Sequence, residues 1–404
     1  MNILLVHNAY GTFTGEEAVV RGQAELLERK GHLVYKFYRS SEETFDMRFG
    51  QIRAFFSGIY NVFSRLRFLK LLSQEKPDLV HIHNLYPFIS PSVLSACTEA
   101  GVPLVMTVHN YRLMCANGLF FSHGQICERC IGPTHELNCI LHNCLDSFPK
   151  SLGYALRNYV ARQFWLYKRH VTCFAVLTDF QRRKLIAARY PESRIYVVPN
   201  MVGVILPREN NEELGHYVGY AGRLSPEKGI DIILETAGKL GRIPVKFAGN
   251  GMNTYMARNN HSNVEFLGRL PRNDLQRFLQ KARMIVMASI WYEGFPMALA
   301  EAMLHRKPVI APRLGGFPEI VDDGRTGLLF EPGNVEDLAC KIQTLWNDPQ
   351  LCREMGEAGY QKVVTQYSPE KYYQRLMDVY KEALRLGAGA PSSSSLPRPV
   401  QFGE

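Results

Sequence analysis

EGFPMALAE, residues 293–301, is the most informative segment of the chain. It follows a continuous apolar run, Met284–Ala288, which indicates a buried strand. A glycine turn comes next, and then a helix that we expect to begin at Pro296, since proline suits the first helical position. The unit is therefore strand, turn and helix, with Glu293 near the carboxyl end of the strand and Glu301 inside the helix.

The same unit repeats along the whole chain. Short apolar, β-branched runs alternate with helical patterns, which predicts parallel sheets with crossover helices. In the first half the predicted strands are Ile3–His7, Leu33–Tyr38, Leu79–His83, Leu104–His109, Cys173–Thr178 and Ile195–Val198. In the second half they are Tyr217–Ala221, Val245–Ala248, Val264–Leu267, Met284–Ala288, Pro308–Ala311 and Gly327–Phe330. Continuous apolar runs are typical of strands buried on both faces. The pattern predicts an α/β protein with two Rossmann-like, doubly wound parallel-sheet domains.

A cluster of Pro, Asn and Glu at residues 199–215 separates the two sets of strands and indicates a linker. A chain of 404 residues is also long for a single core. We therefore predict an amino-terminal domain at 1–205 and a carboxyl-terminal domain at 206–369. A final helix, 370–386, is expected to pack back on the first domain. The Gly-, Ala-, Pro- and Ser-rich tail at 387–404 is expected to be disordered.

The composition indicates a globular protein with neither a membrane span nor a signal peptide. No apolar run approaches the roughly 20 residues that cross a bilayer, and no basic segment precedes the apolar run Met1–His7. We expect a cytoplasmic protein whose nine cysteines are not paired as disulfides. The net charge is +9, and residues 1–200 hold 23 Lys and Arg against 15 Asp and Glu. Basic surfaces attract nucleic acids, anionic membranes and acidic substrates alike.

Two further loops of the second half carry groups that suit a phosphorylated sugar. Residues 222–229 read GRLSPEKG, in which Arg223 offers a planar fork and Lys228 a point charge to phosphate oxygens. Residues 315–319 read GGFPE, in which adjacent glycines let the backbone approach a ligand closely. Each loop alone is equally consistent with ordinary loop structure. Three such loops at strand ends of one domain predict a ligand site at the carboxyl edge of its sheet.

With these three loops the chain resembles the retaining family-4 glycosyltransferases of the GT-B fold, of bacterial surface-polysaccharide type. The family pattern is Glu, seven residues, Glu, preceded by an Arg…Lys loop and followed by a Gly-Gly-x-Pro-Glu loop; the likeness extends over about residues 1–385. The resemblance implies that Arg223 and Lys228 neutralise the donor diphosphate. It implies that Glu293 holds hydroxyls of the donor sugar and that Glu301 binds the ribose. Further donor contacts are implied for Gly294, Phe295, Pro296, Gly316 and Phe317.

The first half contains two more segments that resemble patterns of this family. Residues 14–17, Thr-Gly-Glu-Glu, are similar to its acceptor-side glycine loop, which implies a donor contact for Gly15, although the family has two adjacent glycines there. Residues 107–110, Thr-Val-His-Asn, resemble its Thr-x-His-Asp pattern, which implies a catalytic role for His109 near the reacting centre. The segment His81–His83 also ends a strand and suits either a metal site or, more commonly, ordinary packing.

The expected chemistry follows from the charged loops. No Asp-x-Asp motif lies beside a strand end in a donor-binding position, so Arg223, Lys228 and helix amino ends must stabilise the leaving diphosphate. We expect metal-independent catalysis with no cofactor. The resemblance implies a UDP- or GDP-sugar donor, a glycan or lipid-linked acceptor, and retention by front-face attack. The main alternative is a nucleotide-sugar epimerase of the same architecture. A dinucleotide-dependent oxidoreductase would need a Gly-x-Gly-x-x-Gly after its first strand, which is missing, and no nucleic-acid-binding module is recognised.

A loop-like insertion at about residues 112–148 holds five cysteines, namely Cys115, Cys127, Cys130, Cys139 and Cys144. Cys127 and Cys130 have the two-residue spacing of a zinc knuckle, and a long segment without regular pattern needs something to hold it. A structural zinc ion on four of the five thiolates would do so. The alternative is reduced, unliganded cysteines in a mobile acceptor loop.

Two segments of the first half, Phe55–Leu72 and Leu152–Tyr167, interleave aromatic and aliphatic residues with cations. The cations in and around them are Arg53, Arg65, Arg67, Lys70, Arg157, Arg162, Lys168 and Arg169. Basic amphipathic helices with aromatic residues bind anionic membranes, whereas either helix alone is also consistent with one buried and one solvated face. Together with the excess positive charge, they predict peripheral contact with the inner face of the cell membrane.

Overall fold

Two parallel sheets of six strands each organise the chain. The computed structural model describes residues 1–10, 15–46, 50–203 and 215–388. The strands of the first half are β1 (Asn2–Ala9), β2 (Leu33–Ser40), β3 (Leu79–Asn84), β4 (Leu104–Val108), β5 (Phe121–Ser122), β6 (Gln125–Ile126), β7 (Cys173–Val176) and β8 (Ile195–Val197). Those of the second half are β9 (Val218–Ala221), β10 (Val245–Ala248), β11 (Val264–Gly268), β12 (Met284–Val286), β13 (Val309–Pro312) and β14 (Gly327–Phe330).

The strand orders confirm the predicted fold class. The first sheet runs β2-β1-β3-β4-β7-β8 and the second β11-β10-β9-β12-β13-β14, with every described pairing in both sheets parallel. All the predicted strands are present, with ends that differ by at most two residues. The antiparallel hairpin of β5 and β6, inside the cysteine-rich insertion, was not predicted because each of its strands has only two residues.

Helices cover both faces of each sheet. In the first half they are α1 (Gly15–Arg29), α2 (Glu43–Asp46), α3 (Gly50–Ile59), α4 (Val62–Glu75), α5 (Ser92–Glu99), α6 (Leu137–Leu141), α7 (Phe148–Gln163), α8 (Leu166–His170) and α9 (Asp179–Ala187). In the second half they are α10 (Ile230–Lys239), α11 (Asn253–Met256), α12 (Arg272–Lys281), α13 (Met297–Leu304), α14 (Phe317–Ile320), α15 (Val335–Asn347), α16 (Pro349–Gln366) and α17 (Pro369–Ala388). No helix among the described ranges is both long and apolar enough to cross a bilayer.

The central residues of β1, from Ile3 to Val6, are all apolar because both faces of the strand are buried. Successive side chains of a strand point to opposite faces of the sheet. Ile3 and Leu5 pack into one core with residues of α1 and α17, whereas Leu4 and Val6 pack into another with residues of α4 and α5. All four side chains are fully buried, so both faces of this strand must be apolar.

Helix α17 crosses back to the first domain. Its Tyr372, Leu376 and Tyr380 belong to the same core as Ile3 and Leu5 of β1. The helix extends from Pro369 through Ala388, and is therefore slightly longer than the predicted 370–386. The predicted domain boundary at residues 205 and 206 and the rest of the predicted tail lie outside the described residues.

Candidate active site at the domain cleft

The three charged loops lie side by side because of the strand order. They follow β9, β12 and β13, which are neighbours in the second sheet. Parallel strands place all their carboxyl ends at one edge, so the loops form a single surface there. Two expected boundaries were wrong: β12 ends at Val286, and α13 begins at Met297 rather than at Pro296. Pro296 has a ψ of 92°, which is outside the helical region, so it precedes the helix.

Glu293 is the most tightly bound group of this surface. Its Oε1 accepts hydrogen bonds from Lys228 Nζ at 2.6 Å, Ser289 Oγ at 2.7 Å and Trp291 Nε1 at 3.0 Å. The residue is only 6 % exposed, so its charge is compensated mainly by Lys228. None of the hydrogen bonds in the described part of the chain is to Oε2, and this oxygen is the one left to accept a ligand hydroxyl.

Arg223 and Lys228 occupy opposite ends of one loop and differ in exposure. The Arg223 side chain is 63 % exposed and pairs with Glu227, whose Oε1 also accepts from Ser225 Oγ at 2.7 Å. The Lys228 side chain is 16 % exposed and points to Glu293. The guanidinium is thus available at the rim of the loop, while the ammonium lies inside it. A diphosphate could contact both cations only if Lys228 bound it in addition to Glu293 or in place of Glu293.

Glu301 lies in α13 and is partly buried. Burial raises the pKa of its carboxyl to about 7, and the positive charge of Arg272 opposes that shift. Among the described residues, no hydrogen-bond donor or cation contacts the carboxylate. An unpaired carboxylate in such a position is suited to accept hydrogen bonds from two neighbouring hydroxyls.

The glycines of these loops allow the two domains to approach each other. A Cβ on Gly294 would lie 2.7 Å from the carbonyl oxygen of His109, and one on Gly316 would lie 2.9 Å from Thr178 Cγ2. The sequence suggested that the Gly-Gly loop lets its backbone approach a ligand, but at Gly316 the close neighbour is the opposite domain. Gly15, at the start of α1, lies beside Met297 of the second domain, with 3.8 Å between its Cβ position and Met297 Cγ.

Three residues expected to contact the donor have little side-chain surface to offer. Phe295 is 7 % exposed and packs edge-on against Tyr367, and Phe317 is fully buried. Pro296 is also buried. Contacts from these positions are therefore limited to the backbone.

His109 follows β4 and completes a row of histidines in the first domain. Its Nε2 lies 2.8 Å from His83 Nδ1, and the two rings stack with centroids 5.1 Å apart. Burial lowers the pKa of His109 to about 4, so this side chain is neutral at physiological pH. His81 is bound within the core by Tyr380, Thr107 and Gln23, as expected for packing rather than for a metal site.

Sequence reasoning missed a polar cluster at the carboxyl end of β1. The Glu16 carboxylate accepts a hydrogen bond from Tyr10 Oη at 3.0 Å and lies 3.8 Å from His7 Nδ1. Burial raises the pKa of Glu16. Arg112, from the cysteine-rich insertion, donates to Asn84 at 3.0 Å and its guanidinium lies over the Tyr10 ring. The strand-end position of His7 could have indicated this site, but the approach of Arg112 depends on the tertiary fold. Thr14, the first residue of the predicted glycine loop, lies outside the described residues.

The five cysteines of the insertion line one small cavity. All nine cysteines of the chain are free thiols. Within the ranges that the structure describes, no group of three or more His, Cys, Asp or Glu side chains is arranged to hold a metal ion. The insertion also reaches the second domain, because Glu128 accepts a hydrogen bond from Tyr292 Oη at 2.8 Å.

Large apolar side chains are exposed on the two basic amphipathic segments and on neighbouring helices, and together they are here called the apolar face. Its most exposed members lie on α3, α4, α6 and α7 or directly after α7, namely Phe56, Phe63, Leu66, Leu137, Leu141, Phe148, Phe164 and Trp165. Arg67 and Lys70 are exposed on α4. Arg157 was wrongly expected among the surface cations. It is 6 % exposed because it donates to Ala116 O at 2.9 Å and packs over the Tyr86 ring.

Comparison with known families accounts for both halves of the chain. Residues 13–204 match the family described as Glycosyltransferase Family 4, and residues 205–362 match the one described as Glycosyl transferases group 1. Together with the two facing Rossmann-like domains, these matches decide the classification. The chain belongs to the GT-B glycosyltransferases. The two matches meet beside the boundary predicted after residue 205.

Individual curated relatives match only part of the chain. An uncharacterized glycosyltransferase of Methanocaldococcus jannaschii is 35 % identical over 47 % of this chain and 54 % of its own. The poly(ribitol-phosphate) α-N-acetylglucosaminyltransferase of Staphylococcus aureus is 26 % identical over 51 % of this chain and 43 % of its own. The chain thus spans about half the length of these curated relatives. The solved structure of Anabaena HepE in complex with UDP matches 94 % of this chain and all of that one, with a TM-score of 0.67 and 18 % identity.

Proposed function

We propose that this protein is a retaining glycosyltransferase that moves a sugar from a nucleotide-sugar donor to a glycan or lipid-linked acceptor in cell-surface polysaccharide biosynthesis. The observation that carries the proposal is the environment of Glu293. Three donors converge on its Oε1 and leave Oε2 for a sugar hydroxyl. The resemblance to the retaining family, and relatives that are named as glycosyltransferases, support the same activity.

The charged loops suggest how the donor would be bound. The diphosphate would lie between Arg223 and Lys228, with the amino end of α13 adding partial positive charge. Glu301 would accept hydrogen bonds from the ribose hydroxyls, and Glu293 from the sugar. His109 stands on the opposite wall, where its carbonyl lies close to Gly294. It would contact the sugar at the reacting carbon.

Catalysis in this scheme uses fixed cations in the place of a divalent ion. As the bond from the sugar to the diphosphate breaks, negative charge grows on the leaving oxygens. Positive groups that are already positioned in a protected cleft stabilise such charge without reorganising. Lys228 lies inside the loop and would stabilise this charge while it shares its ammonium group with Glu293. We therefore propose that transfer needs no metal cofactor.

The donor is proposed to be a UDP- or GDP-sugar, and UDP-sugars are the first to test. HepE was solved with UDP, and the S. aureus relative is named as an N-acetylglucosaminyltransferase. Its printed name also specifies a poly(ribitol-phosphate) acceptor, which supports a cell-envelope glycan as the acceptor class. No nucleic acid is proposed as a partner.

Peripheral binding to the inner face of the cell membrane is part of the proposal, with the protein on the cytoplasmic side. The apolar face offers Phe63 at 81 % and Leu141 at 75 % exposure. Phe63 lies on α4 together with the exposed cations Arg67 and Lys70. Monomeric soluble proteins rarely expose large apolar surfaces without a partner. An amphipathic surface with aromatic and basic residues suits an anionic bilayer, where a lipid-linked acceptor would be found.

A donor screen with product analysis tests this function. Purified protein is incubated with UDP-glucose, UDP-N-acetylglucosamine or GDP-mannose and with lipid extract as acceptor, in the presence and absence of EDTA. We expect one donor to be consumed only when acceptor is present, equally with EDTA, and to give a product whose anomeric configuration by NMR is that of the donor. Conversion of a nucleotide sugar to its epimer without acceptor would instead establish the epimerase. An inverted product, or loss of turnover in EDTA that Mg²⁺ restores, would contradict the proposed mechanism.

A further inference from the structure

The cavity lined by five cysteines is separate from the charged loops, and the cysteines take no part in the proposed chemistry. Three of the thiols belong to buried residues, Cys115 at 6 %, Cys130 at 8 % and Cys139 at 1 % exposure. Cys127 and Cys144 are partly buried. The other cavity residues are Asn117, Phe121, Ser122 and Asn138. Five of the nine residues that line this cavity are therefore cysteines.

The thiols come from separate parts of the insertion. Cys115, Cys127, Cys130, Cys139 and Cys144 nevertheless line the same cavity. Cys115 Sγ also donates to Asn117 Oδ1 at 3.0 Å. Sulfur atoms from four separate parts of the insertion have therefore been brought to one place by the fold.

The insertion has only a small core of its own, although Met114, Cys115 and Phe120 also pack into the large core of the first domain. Its own core consists of Ala116, Cys139 and Ala155, with Ile140, Cys144 and Leu145 packed against it. Its regular elements are a hairpin of two-residue strands, one turn of 3₁₀ helix at Arg129–Ile131, and the five-residue α6. Fixing the backbone costs about 1–2 kcal/mol of conformational entropy per residue. A cross-link among the cysteines would therefore stabilise the part of the insertion that surrounds the cavity.

We propose that this cavity binds one structural zinc ion through four of its five cysteine thiolates. Zinc prefers tetrahedral sets of thiolates with bonds of about 2.3 Å, and a Cys-x-x-Cys turn such as Cys127–Cys130 is a common half of such a set. The described thiols do not yet converge on one point. Each must turn about its Cα–Cβ bond and release its proton to solvent as its bond to zinc forms. No oxidant or further reactant is required.

The turn that carries two of these cysteines also carries a contact to the second domain. Glu128 lies between Cys127 and Cys130, pairs with Lys184 at 2.5 Å, and accepts the hydrogen bond from Tyr292. Tyr292 immediately precedes Glu293 in the sequence. A metal that fixes this turn would therefore hold the cleft-side contact of Glu128 in place. Zinc would act on donor binding through position alone and would take no part in the chemistry.

Metal analysis of the full chain tests the proposal without reference to activity. The protein is expressed with zinc present and purified without a metal-affinity step, and its zinc is measured by mass spectrometry. We expect one zinc ion per chain, released as a mercurial reagent titrates about four thiols. The double variant Cys130→Ser/Cys139→Ser should lose the metal. The matched control is Cys97→Ser/Cys173→Ser, which changes two buried thiols outside the cavity and should keep it.

Three results would overturn the site. They are wild-type protein without zinc, zinc that persists in Cys130→Ser/Cys139→Ser, and zinc that is lost equally from the Cys97→Ser/Cys173→Ser control. Because the first measurement needs no variant, misfolding of a variant cannot hide a negative answer. The same measurement also separates this site from the proposed activity, since a zinc-loaded chain that transfers no sugar would refute only the function.

Discussion

The Glu319 carboxylate, in the second domain, caps a helix of the first domain at Asp179. Its Oε2 accepts from the Asp179 N–H and its Oε1 from the Phe180 N–H, both at 2.6 Å. Helix amino ends carry unpaired N–H groups and partial positive charge, so a carboxylate is a fitting partner. Since Glu319 follows Gly315 and Gly316 in the same loop and helix, this cap joins the Gly-Gly loop to the opposite wall of the cleft.

Removing this cross-domain cap should weaken donor binding more than it weakens folding. Hydrogen bonds to a charged group contribute about 1.5–3 kcal/mol, and these two join the opposite walls of the cleft. We expect Glu319→Ala to raise the donor KM about tenfold, since each 1.4 kcal/mol is a factor of ten. Glu319→Gln keeps one acceptor oxygen and should be intermediate. Steady-state kinetics and small-angle scattering with and without donor measure the two effects.

A cap inside one domain provides the control. Asn334 caps α15 by accepting from the Asp337 N–H at 3.0 Å, with no contact to the first domain. Asn334→Ala should lower the thermal midpoint, in line with the loss of about 1 kcal/mol expected for a helix cap, and leave the donor KM unchanged. If Glu319→Ala lowers only the thermal midpoint in the same way, Glu319 has no role in closing the cleft.

Changing both Lys228 and Glu293 should recover stability that is lost when Lys228 alone is changed, but it should not recover activity. Removing one member of a buried pair is strongly destabilising, about 3–5 kcal/mol, because the other charge is left uncompensated. We therefore expect Lys228→Met to lower the free energy of unfolding, and Lys228→Met/Glu293→Gln to recover much of that loss. All variants should lose at least about 100-fold in kcat, the scale seen when a group that stabilises developing charge is removed.

Denaturant unfolding and turnover measured on the same preparations test this pair. A double variant that is as active as the wild type would show that neither group serves the donor. A Lys228→Met protein as stable as the wild type would show instead that Glu293 is not held by its charge partner.

The raised pKa of Glu301 predicts a pH dependence. The folded protein holds the proton more tightly than the unfolded chain, so the favourable contribution of the protonated carboxyl is present at low pH and lost as pH rises through about 7. Ribose hydroxyls would bind the ionised form, so affinity for the intact nucleotide sugar should rise about tenfold between pH 6 and pH 8. The pKa of His109 is about 4, so its titration does not contribute to a change between pH 6 and pH 8.

Glu301→Gln is the variant that isolates this group. It should bind donor weakly but with no pH dependence between 6 and 8 in calorimetry. Its thermal midpoint should exceed that of the wild type by more at pH 8 than at pH 5.5. A wild-type affinity that is flat across the interval would contradict the assignment of Glu301 to the ribose.

Local patterns were enough to predict the strands and the position of the three charged loops at one edge of the second sheet. Buried parallel strands are continuously apolar, and glycine and proline mark the loops, so both features can be read within a few residues. The burial of Arg157 could not be predicted, because its partners Ala116 and Tyr86 are distant in sequence. The cap at Glu319 and the contact of Glu128 with Tyr292 were missed for the same reason, since both depend on how the domains face each other.

The apolar face should make binding to anionic vesicles sensitive to both charge and hydrophobicity. Each cation near an anionic surface contributes about 1 kcal/mol, so Arg67→Glu/Lys70→Glu should weaken co-sedimentation with phosphatidylglycerol vesicles at least tenfold. Burying a phenylalanine contributes about 1.5–3 kcal/mol, so Phe63→Ser should weaken binding by about the same factor. Salt should reduce binding by the wild type but less by the charge variant, because screening acts on the charges alone.

The matched control reverses the same amount of charge on the second domain. Arg258 and Lys281 are both exposed there, and Arg258→Glu/Lys281→Glu changes the net charge equally without altering the apolar face. If this variant loses vesicle binding as strongly as Arg67→Glu/Lys70→Glu, attraction depends only on total charge and the face is not a docking surface. If the wild type ignores anionic vesicles at low salt, peripheral docking is wrong and a soluble acceptor becomes the better hypothesis. Retained binding by the control, with loss in Phe63→Ser, would place the first domain against the membrane and the cleft beside a lipid-linked acceptor.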